Sequence, residues 1–156
     1  MLTLRRYADS DAAELLDLYR QTIRTVNCRD YDAEQIRAWS SDAIELAPWR
    51  ARFHDRFAYV AQLEQQTVGF ADMDAGGYLD RVFVSADHQR RGIAKALLLR
   101  LIADAQEAGI ATITTQASIT AKPFFERFGF EVLQQQSVPC RGVWLTNYRM
   151  RLTIDC

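Results

Sequence analysis

One stretch, Val82 to Lys95, constrains this chain more than any other: a strand runs into a polar turn and then into a long helix. Val82-Phe83-Val84 reads as the end of a strand. Gln89-Arg90-Arg91-Gly92-Ile93-Ala94 reads as the turn that opens the helix. The first N–H groups of a helix have no intrahelical partner and sit at the positive end of its dipole, so this place suits an anion. Gly92 permits a tight turn and close approach to the backbone, and the small Ala94 keeps that approach open. From Gly92 to Ala108 no interior glycine or proline occurs, and Ile93, Leu97, Leu98, Leu101, Ile102 and Ala105 form one apolar stripe. Gly109 ends the helix. Ile110 to Gln116 is rich in β-branched residues and reads as a buried strand. A strand–helix–strand crossover places it parallel to the strand Tyr78–Ser85.

The rest of the chain supplies the neighbours. Leu2 to Tyr7 alternates as a strand with one apolar face. Asp9-Ser10-Asp11, with Glu14 three residues after Asp11, offers caps for an amphipathic helix that runs to about Val26. Asp32, with Gln35, caps a second helix, and helical turns continue through 30–55. Phe57–Leu63 and Thr67–Met73 form a hairpin about Gln65-Gln66. Antiparallel strands followed by strand–turn–helix predict a mixed α/β sheet, not a doubly wound parallel one. Further on, Thr120 caps a short helix with Pro123 in its first turn, and Gly129 stops it. Glu131–Val138 and Gly142–Leu152 read as a terminal strand pair joined by Pro139-Cys140-Arg141-Gly142.

Bulk properties exclude several classes. The 156 residues suit one domain, 1–156, able to bury a real core. A net charge of −1 gives no field for nucleic acid. No apolar run approaches the roughly 18 residues of a membrane span, and the N-terminus lacks the apolar core of a signal peptide. Cys28, Cys140 and Cys156 are odd in number and fit neither a zinc site nor a disulfide framework, so no metal and a reducing cytoplasmic setting are expected. Neither G-x-G-x-x-G nor G-x-x-x-x-G-K-[ST] occurs, which argues against a classical nucleotide-binding domain.

Val-Phe-Val, a short link and Q-R-R-G-I-A resemble the acetyl-CoA signature of the GNAT (Gcn5-related) N-acetyltransferases. S-I-T-A-K-P-F-F-E-R-F-G-F, from Ser118 to Phe130, resembles a second motif of that superfamily. With C-R-G-V-W-L-T-N-Y-R-M and with Tyr31, Ile36 and Trp39, the likeness extends over nearly the whole chain to a bacterial YafP-like branch. The resemblance implies a mostly antiparallel central sheet flanked by helices, with a splayed signature strand, and an enzyme that moves acetyl from acetyl-CoA to an amine of a small molecule or peptide. It also implies a homodimer as a candidate assembly, although no stretch identifies an interface.

It implies residue roles as well. Main-chain groups of Val82, Phe83 and Val84 would pair with the pantetheine arm as an added strand does. Gln89, Arg90, Arg91, Gly92, Ile93, Ala94 and Lys95 would cradle the pyrophosphate, chiefly through backbone N–H groups from Arg91 to Lys95. Ser118 stands where relatives often carry Asn, and Lys122 and Phe125 would neighbour the coenzyme. Tyr31, Trp39, Trp49, Cys140 and Trp144 are candidate acceptor-pocket residues. Amine attack on a thioester needs a base, and Asp80 is the candidate, expected on one strand face with Tyr78, Val82 and Val84 among apolar neighbours. His88 is the lesser alternative. Relatives often use the Tyr of F-Y-E to protonate the thiolate; here that position is Phe125, so Tyr148 is the candidate acid, with Cys140 a second choice. Phe125 also favours a rival reading, a coenzyme-A-binding sensor or interaction domain with little turnover.

Overall fold

The β-branched and alternating segments become strands in the computed structural model, which describes residues 1–154. They are β1 (Leu2–Arg6), β2 (Phe57–Leu63), β3 (Gln66–Met73), β4 (Tyr78–Val84), β5 (Thr112–Ser118), β6 (Glu131–Cys140) and β7 (Val143–Thr153). The helices are α1 (Ala12–Thr25), α2 (Ala33–Trp39), α3 (Leu46–Ala51), α4 (Ile93–Glu107) and α5 (Lys122–Arg127). All seven strands form one sheet, in the order β1-β2-β3-β4-β5-β7-β6. The β4–β5 pairing is parallel and the others are antiparallel, so the sheet is mixed, as expected.

Each face of the sheet buries its own cluster. Adjacent residues such as Phe70 and Ala71 fall in different clusters, as the two-residue period requires. On one face α4 inserts Leu97, Leu98 and Leu101 against Ile113 and Met150. On the other, α1 packs Leu15 and Ile23 with Trp49 and Phe70. Burying one such side chain contributes about 1.5–3 kcal/mol, so α1 and α4 are fixed by their apolar stripes.

Local chemistry departs from the sequence reading in five places. Asp11 precedes α1, but its carboxylate accepts from Arg5 Nη1 and Nη2 at 2.8 and 2.7 Å and from the Ala8 N–H at 2.9 Å. An arginine fork thus takes the oxygens that a helix cap would have used. Thr120 does not cap α5 either; its hydroxyl donates to Asp30 at 2.7 Å. The β2–β3 turn is Glu64-Gln65, with φ of +50° and +72°, and β3 starts at Gln66. The β6–β7 turn is Arg141-Gly142, with φ of +46° and +83°, so Pro139 and Cys140 belong to β6. Two left-handed residues in a row suit the twist of a two-residue hairpin, even without the usual Asn-Gly. Asp32 and Gln35 do form the expected capping box, with bonds of 2.8 and 2.9 Å.

The fifth departure shapes the site. The β3–β4 register runs from Asp72↔Arg81 to Met73↔Leu79, which leaves Asp80 as the extra residue of a bulge. Alternation therefore breaks at Asp80. Leu79, Val82 and Val84 pack on the α4 side, and Phe83 packs with α1. The expected common face of Tyr78, Asp80, Val82 and Val84 does not exist. Beside it, β4 and β5 pair only at Tyr78↔Thr114 and Leu79↔Thr115 and then diverge.

Gly77 sets the start of that short pairing. Its φ is +96°, its carbonyl accepts from the Thr114 N–H at 3.0 Å, and an added Cβ would lie 2.8 Å from both Ile110 Cγ2 and Thr112 O. Left-handed strain and the clash together predict that Gly77→Ala destabilises the fold by about 2–4 kcal/mol, measured by urea unfolding.

Candidate active site

Where β4 leaves β5, the sheet opens into a cavity of about 290 Å³. The Thr115 hydroxyl donates to Leu79 O at 2.8 Å and closes its inner end. Val82 and Phe83 line one side of the opening and Gln116, Ala117 and Ser118 the other. Phe125, almost fully buried against Phe124 and Phe130, lies on the α5 side. Tyr19 of α1, Tyr31, Trp39 of α2, Val138 and Cys140 form an aromatic and apolar wall.

The turn before α4 has an anion-binding shape. Arg90 and Gly92 are left-handed, at φ +62° and +78°, a conformation that gathers N–H groups into a concavity. The Ala96 N–H bonds Gly92 O at 3.0 Å, so the N–H groups of Ile93, Ala94 and Lys95 precede the intrahelical ladder. A Cβ on Gly92 would meet nothing within 4 Å, so the space over the turn is open. Ile93 contributes backbone here, for its side chain is in the core. Gln89 braces the turn from within: its amide donates to Val84 O at 2.8 Å and to Ser85 O at 3.2 Å. Val84 O also accepts from the Thr22 hydroxyl at 3.1 Å, so this carbonyl, one of the strand groups expected to pair with a ligand, is already engaged by the protein itself. A phosphate at the helix start and an extended arm between β4 and β5 fit this arrangement.

At the inner end, charge is organised around the bulge. Arg52 Nη2 lies 3.1 Å and Arg56 Nη1 3.3 Å from Asp80, both on Oδ2. Arg56 Nη1 also reaches Asp72 Oδ2 at 3.1 Å. Arg81 grips Asp72 through Nη2 at 2.6 Å and Nε at 3.0 Å. Asp80 thus stands between guanidinium groups, not among the apolar neighbours expected of it. Burial, reinforced by the nearby Asp80 carboxylate, pushes the Tyr78 hydroxyl up to about 12. Burial also raises Tyr19, against the pull of Arg52 and Arg81, so both phenols stay protonated near neutral pH. Tyr31 is raised by burial too, although its oxygen accepts from the Ile119 N–H at 2.9 Å; it donates to Thr146 O at 2.7 Å.

Other expected members lie elsewhere. Trp49 is 1% exposed, donates from Nε1 to Ala12 O at 3.0 Å and packs in the core. Trp144 is 64% exposed on the β6–β7 hairpin. Tyr148 packs on the α5 side, where Lys122 Nζ stands 5.2 Å from its ring centroid, and neither residue lines the cavity. Lys122 also pairs with Glu126 at 3.3 Å. His88 belongs to a separate polar depression with Glu64, Gln66 and Arg91. Sequence reasoning missed Tyr19, Arg52 and Arg56, because only the tertiary fold carries α1 and the segment after α3 to β4.

The sequence matches the acetyltransferase (GNAT) domain over residues 27–152. The chain belongs to the GNAT family. This GNAT protein is 37% identical to the uncharacterised N-acetyltransferase YafP of Escherichia coli K12 over 150 residues, 96% of this chain and 95% of that protein. Its fold matches the crystal structure of a GCN5-related N-acetyltransferase from Rhodopseudomonas palustris with a TM-score of 0.94 at 30% identity, covering 97% of this chain and 95% of the other. The PaiA N-acetyltransferase of Thermoplasma acidophilum, crystallised with coenzyme A, shares the fold at a TM-score of 0.81 and 16% identity, over 99% of each chain. The protein is an acetyl-CoA-dependent N-acetyltransferase. No helix among the described residues is long and apolar enough to cross a membrane.

The turn before α4 is the proposed seat of the coenzyme phosphates; there a carboxylate in the open space over Gly92 would meet them with like charge, and hydrogen bonds to such an anion are worth about 1.5–3 kcal/mol each. Gly92→Glu is therefore expected to weaken acetyl-CoA binding at least about a hundredfold in calorimetric titration, with circular dichroism reporting a folded protein.

Proposed function

We propose that this N-acetyltransferase acetylates a small-molecule amine by direct attack, with Asp80 as the group that receives the amine's proton. The observation that carries this reading is the bulge, which places Asp80 on the cavity wall at the inner end of the strand gap. Both arginine contacts go to Oδ2, so Oδ1 is left for the acceptor. Arg52 and Arg56 fix the carboxylate's orientation, and a positioned base contributes roughly 10²–10⁴-fold to such a reaction.

Acetyl-CoA supplies the activated thioester carbonyl. Ile93, Ala94 and Lys95 hold its phosphates through main-chain N–H groups, and the backbone of Val82 and Phe83 aligns its arm. Tyr19, Tyr31, Trp39 and Phe83 exclude water from the acceptor's side. Holding both reactants in one orientation removes an entropic barrier that free amine and thioester would face. The nitrogen–carbon bond forms as the carbon–sulfur bond breaks, and the amine's proton passes to Asp80 Oδ1. Phe125 offers no proton to the sulfur. An alkyl thiolate is a good enough leaving group to depart from an acyl carbon without an acid, so the coenzyme's thiolate leaves unassisted.

Phe125 is also what favours a coenzyme-A-binding sensor. Thiol release from acetyl-CoA with a panel of amines decides between them: release with one acceptor class supports the enzyme, and tight binding without release supports the sensor. Asp80→Asn is expected to slow release by at least about a hundredfold, while the dissociation constant for acetyl-CoA stays unchanged. Release at the wild-type rate across pH would remove Asp80 from the mechanism.

A further inference from the structure

The charged side chains around Asp80 do not balance. Three guanidinium groups, Arg52, Arg56 and Arg81, are linked to only two carboxylates, Asp72 and Asp80. The network therefore carries an excess of one positive charge. Arg81 is 4% exposed, stacked with its Cζ 4.2 Å from the Phe53 ring centroid and 4.7 Å from that of Trp49. Its Nη1 is buried without a hydrogen-bond partner. Arg52 is the member within reach of a ligand: its side chain is 48% exposed and the residue lines the cavity. It spends only Nη2 on Asp80, which leaves the rest of its fork without a partner among the described residues. A planar fork of this kind takes a carboxylate in preference to a neutral group.

We propose that the acceptor is an α-amino acid with an apolar or aromatic side chain, whose carboxylate is held by Arg52 while its amine meets Asp80. The proposal rests on the acetyl-transfer reading and names the substrate class of the same cavity. Arg52 Nη2 and Asp80 Oδ2 are 3.1 Å apart, so the two groups sit side by side and suit a ligand that carries its amine and its anion close together. An α-amino acid does; an ω-amino acid with a long spacer does not. A polyamine or a lysine side chain brings further positive charge to a network already in excess. The side chain of the acceptor faces Tyr19, Trp39 and Phe83, whose rings pack edge to face with centroids 4.8 Å (Tyr19–Phe83) and 6.4 Å (Trp39–Phe83) apart. Val138 and Pro139 extend this apolar wall.

The test uses the full chain and acetyl-CoA with phenylalanine, leucine and tryptophan, their amides, phenethylamine, 6-aminohexanoate, spermidine and a lysine peptide. Two readouts are taken: thiol release, and binding of each acceptor in the presence of coenzyme A by calorimetry. The expected result is that free α-amino acids exceed their amides by about tenfold to a hundredfold in kcat/KM and in affinity, the value of one charge-assisted pair. Arg52→Gln is expected to collapse that ratio of acid to amide, whatever it does to absolute rates, and Arg52→Lys to keep part of it. Amides, spermidine or the lysine peptide matching the free acids in both readouts would overturn the proposal. Preferential binding of the acids without thiol release would leave the carboxylate site standing and sink acetyl transfer. Release with amides as readily as with acids would do the reverse.

Discussion

Two residue pairs hold β4 to β5, and everything that matters chemically follows from the pairing stopping there. A continued ladder would close the sheet and leave no room for a ligand's arm. The stop has a local cause on each strand. On β5, the Thr115 side chain takes the Leu79 carbonyl. On β4, the extra residue at Asp80 bends the strand, and the ladder to β3 restarts out of step. Strand edges exposed in this way are usually hazards, because unpaired N–H and C=O groups invite another chain. Here the opening lies inside the sheet and is walled by helices, so the ligand is what the edge can pair with.

The bulge is held by charge. Asp72 is wholly buried and faces Arg81, itself almost wholly buried. Breaking such a pair from one side costs about 3–5 kcal/mol, because the remaining charge stays in the interior. The Arg81 guanidinium also lies against aromatic rings contributed by α3, the segment after it and β3, which tolerate a weakly hydrated, planar cation. Arg56 then passes the alignment from Asp72 to Asp80. The group proposed for proton transfer is therefore positioned by the same network that fixes the strand's shape.

Much of this was legible in the sequence. The apolar stripe of α4, the glycines at its two ends and the β-branched strand after it were enough to set the crossover. Asp32 and Gln35 announced α2 by their spacing alone. The turn proposed to hold the coenzyme was legible as a turn because its backbone demands leave marks such as Gly92, which is left-handed. The acceptor side left few marks. Trp49 and Trp39 look alike in sequence, yet one is sealed in the core by its bond to Ala12 O and the other lines the cavity. Asp80, the base candidate, lines the cavity, but its arginines lie 24 and 28 residues away and no local pattern joins them. The bulge was invisible, since strand alternation is assumed until a register shows otherwise. Both hairpin turns were displaced by one or two residues because Glu64-Gln65 and Arg141-Gly142 adopt left-handed backbone without the expected residue pair.

The carbonyl oxygen of Val84 receives two donors, the Thr22 hydroxyl from α1 and the Gln89 amide from the turn before α4. One atom is thus a common fastening for the helix that presents Tyr19 and for the loop that precedes α4. The two halves of the site cannot drift independently. A change in the cavity wall made by substituting Tyr19 leaves that fastening intact, whereas the same change made by tilting α1 would loosen the turn proposed for the coenzyme. Retuning this protein for a new amine is therefore a matter of replacing side chains on a fixed frame, not of moving the frame.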